Sequence, residues 1–258
     1  MITREQIIEI LKELALSKRY VHAMWLEGAD GLGRVDEYSD IDVWFSVSDS
    51  YADTLIPFCI EALRKLGDIP YQNIDTVKHS CGEIFQANIK IEGTSPFLYV
   101  DICVQKLSRD KRATTFTEND PAEFPLVIFD KKNIIAYRKS TPMPKFLQDE
   151  IIADQKRVFL QRARAIKYIH RNRFIEAISY FSQYCVMPVV TLARLIYTPR
   201  NWQYGTCHIS VHLPKDVVAE IERLSQNKTV QDVAKNVELA EKLFEKYLSQ
   251  LENIKEAK

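Results

Sequence analysis

The stretch from Trp25 to Val47, WLEGADGLGRVDEYSDIDVWFSV, constrains the fold more than any other part of the chain. It opens on a turn rich in glycine (Gly28, Gly31, Gly33) and closes on an apolar run that carries Asp40 and Asp42. Residues i and i+2 of a strand point to the same face. The two carboxylates therefore stand side by side, with Cα atoms roughly 7 Å apart, while Ile41 and Val43 face a core. Like charges on one face repel, so stability alone gives no reason to put them there. A divalent cation removes the repulsion. Hard carboxylate oxygens suit Mg²⁺, which is usually held by one or two carboxylates together with substrate phosphates. Glycines ahead of the strand let backbone N–H groups approach an anion closely.

The elements around this stretch follow from periodicity. Apolar residues at Ile7, Ile8, Ile10, Leu11, Leu14 and Leu16 predict a helix over 3–17, with Thr3 and Gln6 placed to cap it. Tyr20 to Glu27 reads as a first strand and Asp40 to Val47 as a second. Ser50 to Leu66 reads as a helix that stops at Gly67. Ile84 to Ile91 and Phe97 to Val104 read as the arms of a hairpin. The second arm, FLYVDICV, carries Asp101 inside an apolar strand. A charge is rarely buried without a partner, so Asp101 stands either at a solvated strand end or at a site. Asp75 and Glu83 lie in more polar surroundings. From Ser108 to Pro144 the chain turns polar and rich in proline, with a short strand at Leu126 to Phe129. Phe146 to about Tyr197 is helical, as is Leu213 to Ile254 with Pro214 in its first turn. The fold class is α+β: a mixed-sheet domain over 1–141, then an all-helical domain over 142–258.

The run G-A-D-G-L-G-R-V-D-E-Y-S-D-I-D resembles the signature of the nucleotidyltransferase superfamily of the DNA polymerase beta type, which reads G-S-x-A-x-G-x-x-D-x-x-S-D-I-D. Gly28, Gly33, Asp36, Ser39, Asp40, Ile41 and Asp42 fall on its positions in register. Ala29 stands where the pattern has serine, and Gly31 where alanine is common. The two-part plan resembles that of small antibiotic nucleotidyltransferases, which modify aminoglycosides or lincosamides. The resemblance implies a metal-dependent transfer of a nucleoside monophosphate, AMP from ATP, to a hydroxyl of a small molecule. It implies that Asp40, Asp42 and Asp101 are the catalytic and metal-binding carboxylates, with Mg²⁺ as cofactor, two ions in all. Nucleotide-binding groups are then Gly28 and Ala29 through their backbone N–H groups, Ser39, and Lys167 of the helical domain. Asp36 and Ser39 are equally the residue types of a turn.

The alternatives are a nucleotidyltransferase acting on a protein or nucleic acid, and a nucleotide-binding module without turnover. The chain has 258 residues, and its 35 Lys+Arg balance 35 Asp+Glu. Zero net charge gives no basic footprint for long nucleic acids. The basic stretch of Arg162, Arg164, Lys167, His170, Arg171 and Arg173 is a solvated helix face or a triphosphate contact. His208 and His212 read as a surface pair, since no third ligand lies nearby. Trp202, Tyr204 and His208 line an acceptor pocket or pack the domain. Five widely spaced cysteines suit reduced thiols and a cytoplasmic location. No apolar run approaches a membrane span. The oligomeric state is left open, with a homodimer as one option.

Overall fold

A computed structural model describes residues 2–256. It divides into two compact units, one ending at Ser140 and the other beginning at Thr141.

The first unit opens with α1 (Arg4–Ser17), capped as the sequence predicts. The Thr3 hydroxyl accepts from the Gln6 backbone, and the Gln6 side chain accepts from the Thr3 N–H. Ile7, Leu11 and Ala15 recur every four residues along its buried face. Then come β1 (Val21–Leu26), a single helical turn α2 (Gly28–Gly31), β2 (Ile41–Val47) and α3 (Leu55–Leu63). β3 (Tyr71–His79), β4 (Gly82–Lys90) and β5 (Val100–Lys106) follow, then β6 (Thr115–Thr117), β7 (Leu126–Asp130) and β8 (Ala136–Arg138). The main sheet is ordered β3-β4-β5-β2-β1-β7, while β6 and β8 form a small parallel pair.

Antiparallel pairing of β4 with β5 matches the expected hairpin. β5 then lies parallel to β2, which the sequence does not reveal. On one face of the sheet Ile41, Val43, Phe45 and Val47 of β2 join Ile102 and Val104 of β5, Ile7 and Leu11 of α1 and Leu55 and Cys59 of α3 in a single core. The other face carries Asp42, Trp44, Asp101 and Gln105, with Trp25 and Trp44 stacked at 5.8 Å and Phe116 packed against them. Strand β3 has no counterpart among the sequence expectations. Every one of its residues is exposed, so neither face imposes a period-two pattern.

The second unit is helical: α4 (Lys145–Leu160), α5 (Ala163–His170), α6 (Phe174–Phe181), α7 (Met187–Tyr197), α8 (Ile209–His212), α9 (Lys215–Leu224) and α10 (Val230–Glu256). A π-helical turn, Ser182–Val186, joins α6 to α7. Pro188 to Leu195 of α7 is buried throughout, making it the central helix of this unit's own core. Arg194 is wholly buried there. It donates to the carbonyls of Gly205 and Cys207 and to the Thr198 hydroxyl, which ties down the segment after α7. Where the sequence suggests a loop over 198–212, Pro199–Tyr204 forms a 3₁₀ helix and Ile209–His212 a helical turn. All five cysteines are free thiols, with Cys59, Cys103 and Cys185 buried. Among the described residues no helix is long and apolar enough to cross a membrane.

Candidate active site

The site is built where β2 and β5 run side by side. Their register sets Asp42 directly opposite Asp101. Alternation along β2 puts Ile41 and Val43 in the core and sends Asp42 to the other face. Asp40 precedes the first strand residue, and its charge is felt at both Asp42 and Asp101. The three carboxylates singled out from the sequence therefore share one neighbourhood.

Their crowding is visible in their acidity. Burial, and then the charges of Asp40, Asp101 and Asp30, push the Asp42 carboxyl up to about 6. Burial also raises Asp101, and the Asp40 charge adds to this. The Gln86 amide opposes it, donating to both Asp101 oxygens at 2.9 Å. Each shift disfavours a bare anion. Among the described residues, no three or more His, Cys, Asp or Glu side chains form a ready-made metal set. Two crowded carboxylates with hard oxygen donors fit a Mg²⁺ ion that completes its shell with substrate phosphates and water.

The glycine turn packs on this pair. Gly28 has φ +59°, and a Cβ built on it would come 2.1 Å from Asp42 Oδ2. No other residue type fits there. The turn is registered on the strand by the Glu27 N–H, which donates to the Asp42 carbonyl at 2.9 Å. Gly28 and Ala29 lead α2, where the first N–H groups have no partner within the helix. Gly31 lies against the Phe124 carbonyl, 1.7 Å from where a Cβ would stand. An alanine is excluded by that contact, which accounts for this departure from the motif. Nothing in the structure explains Ala29.

Asp36 and Ser39 form the turn ahead of β2. The Ser39 hydroxyl donates to Asp36 Oδ1 at 2.8 Å and accepts from the Asp36 N–H at 3.0 Å. Ser39 thus has a structural role in this turn. Its carbonyl accepts from Arg4 Nη1 at 3.2 Å. The same guanidinium, reaching over from α1, forms a partly buried ion pair with Asp30 of α2. Arg4 thereby clamps both ends of the glycine-rich segment. It sits in the first turn of an ordinary amphipathic helix, and nothing local in the sequence marks it.

Glu27 is the other residue that sequence reasoning missed. Burial lifts its carboxyl to about 7, with Glu123 and Asp42 adding to the shift. The Trp25 indole N–H holds it at 2.7 Å. The one available signal was a glutamate closing an all-apolar strand immediately before a glycine. Arg109 approaches from beyond β5, lying over the Trp44 ring and donating to Gln105 at 2.7 Å. Glu83 pairs with Lys106 and Asp75 lies on exposed β3, so neither joins the carboxylates.

Lys167 belongs to α5 of the second unit, in a basic stretch organised on tyrosines. Tyr168, Tyr180 and Tyr184 stack in series. Lys167 and Arg171 lie over Tyr168, and Arg164 over Tyr184. Arg162 pairs with Glu241 at 2.7 Å. His208 and His212 have ring centroids 5.7 Å apart, and Trp202 packs against the core of its unit.

No protein-family model matches the chain, and no curated protein matches it. Among solved structures the chain is similar to an aminoglycoside 6-adenyltransferase from Bacillus subtilis, at 14% identity. That match covers 96% of this chain and 89% of that one, with a TM-score of 0.38. It is similar to a spectinomycin adenyltransferase from Enterococcus faecialis solved with ATP and spectinomycin, at 10% identity. There the coverage is 93% of this chain and all of that one, with a TM-score of 0.34. A nucleotidyltransferase-like protein from Exiguobacterium sibiricum 255-15 matches at 12% identity over 96% of this chain and 78% of that one, with a TM-score of 0.32.

Proposed function

We propose that this protein transfers AMP from ATP to a hydroxyl of a small molecule, of the aminoglycoside or lincosamide class. The observation that carries the reading is the pairing of Asp42 with Asp101 across parallel strands, with Gly28 packed on the Asp42 carboxylate. That arrangement is costly to a fold, because it crowds partly buried carboxylates. It is useful to a reaction that must bind a polyphosphate through a cation.

In this reading Asp40 and Asp42 hold Mg²⁺, with Asp101 as the third carboxylate. When bound, the ion neutralises charge on the phosphates and on the leaving pyrophosphate. Gly28 and Ala29 offer backbone N–H groups to the phosphate tail. Asp101, raised by burial, is poised to take the proton of the attacking hydroxyl, and Gln86 fixes its plane. Arg4 keeps the glycine turn in register through Asp30 and the Ser39 carbonyl. Lys167 is assigned to the nucleotide in the same reading.

The test is pyrophosphate release from ATP and Mg²⁺ against a panel of aminoglycosides and lincosamides. Release with one acceptor class is expected, abolished in Asp40→Asn and lowered about 100-fold or more in Asp101→Asn. ATP binding with silence across the panel would move the acceptor to a macromolecule. Release that survives Asp40→Asn would remove the carboxylates from the mechanism.

A further inference from the structure

Strand β3 is one edge of the main sheet. It is nine residues long, pairs with β4 without a register shift, and is exposed at every position. Natural sheets blunt such edges by shortness, bulges or charge. The opposite edge, β7, follows that rule: it has five residues and a register shift against β1. β3 does not. It exposes Tyr71 at 49%, Ile74 at 53% and Val77 at 37%, beside an outward row of backbone N–H and C=O groups. Such an edge is built to accept another strand.

We propose that β3 pairs antiparallel with β3 of a second copy of this chain, in the register centred on Ile74. The choice of partner and register follows from symmetry. Two antiparallel copies of one edge strand are related by a two-fold axis normal to the sheet. That axis keeps each face of the sheet continuous, so a residue can oppose only one that points to the same face. The strand must therefore be centred on a residue and not between two. Centring on Asp75 sets two carboxylates against each other. Centring on Thr76 opposes Ile74 to Lys78 and Val77 to Asp75. Centring on Val77 carries Tyr71 and Ile74 past the end of the partner strand.

Centring on Ile74 satisfies every position. Ile74 meets Ile74 on the axis. Tyr71 meets Val77 twice, an aromatic–β-branched pair of the kind that stabilises sheets. Gln72 opposes Thr76, and Asn73 opposes Asp75. All three exposed apolar side chains gain apolar partners, and no like charges meet. Lys78, the residue that would blunt this edge, falls outside the paired stretch. Opposite it would stand Pro70, which has no N–H to give and ends the ladder. This self-complementarity favours a second copy over a foreign peptide.

The experiment is the mass of the full chain in solution, by light scattering or sedimentation across concentration. Wild type is expected to reach twice 30.0 kDa. Ile74→Lys and Ile74→Asp, each at an exposed position away from the core, are each expected to weaken association at least tenfold. Mixing these two variants is expected to restore the dimer, because Lys then opposes Asp on the axis. The proposal is overturned by a wild type that stays monomeric, by a dimer that persists in Ile74→Lys, or by a mixture that does not associate.

Discussion

Glu27 carries the clearest single-residue consequence of the site's architecture. Its carboxyl ionises near 4.5 in an ordinary environment and at about 7 in the folded chain. The folded state thus binds this proton more tightly than the unfolded state. The penalty is absent below pH 4.5, grows as pH rises between the two values, and is complete above pH 7. Glu27→Gln keeps an oxygen for the Trp25 indole and removes the charge. It is expected to stabilise the protein by about 2 kcal/mol at pH 8 and by almost nothing at pH 4, read from urea denaturation at the two pH values. Arg4 makes the opposite case. Its loss takes the guanidinium from the partly buried Asp30 and frees the Ser39 carbonyl. Arg4→Met is expected to cost about 2 kcal/mol in the same measurement, since removing one side of a partly buried pair strands the other.

At the scale of the element, the glycine turn is shaped by two different demands. Gly28 needs a positive φ and also has the Asp42 carboxylate where a side chain would go. Gly33 has a similar φ of +63°, with nothing within 4 Å of a built Cβ. The contrast separates backbone strain from collision. Gly33→Ala is expected to lower stability by about 1 kcal/mol and leave nucleotide binding intact. Gly28→Ala carries the same strain and must also displace Asp42, so it is expected to abolish Mg²⁺-dependent ATP binding. Calorimetric titration of both variants with ATP checks the pair. Equal effects would mean that the close approach to Asp42 is irrelevant. In the second unit, buried Arg194 plays the organising part for the segment after α7, through carbonyls and a hydroxyl.

At the scale of the whole molecule, each unit has its own hydrophobic core, and the two cores share no residue. A chain built this way has its weakest point in the connecting segment. Residues 139–144 have no regular structure; they begin with Lys139 and are flanked by Arg138 and Lys145. Limited trypsin digestion is expected to cut there first and leave two resistant fragments, identified by mass spectrometry. The C-terminal fragment is expected to retain a helical circular dichroism spectrum and a cooperative thermal transition. First cuts inside α4 beyond Lys145, or inside α10, would contradict the independence of the second core.

Local pattern alone determined the capping box of α1, the alternation of β2, the β4–β5 hairpin and the helical second half. It also singled out Asp40, Asp42 and Asp101, because a charge inside an apolar strand is conspicuous without any knowledge of its neighbours. What lay beyond it depends on residues far apart in the chain. The parallel docking of β5 on β2, which sets Asp101 opposite Asp42, requires a crossover that no local period encodes. Gln86 reaches Asp101 from fifteen residues away, and Arg4 reaches Asp30 from twenty-six. Glu27 acquires its raised acidity only when the fold buries it. β3 escaped notice because periodicity reports burial on one face, and this strand is buried on neither. The sequence alone determined which residues the proposed chemistry rests on, since side-chain type and local alternation are written into neighbouring positions. Only the tertiary structure decided how those residues are held, charged and surrounded, because clamping, desolvation and edge exposure arise from contacts that the order of residues does not contain.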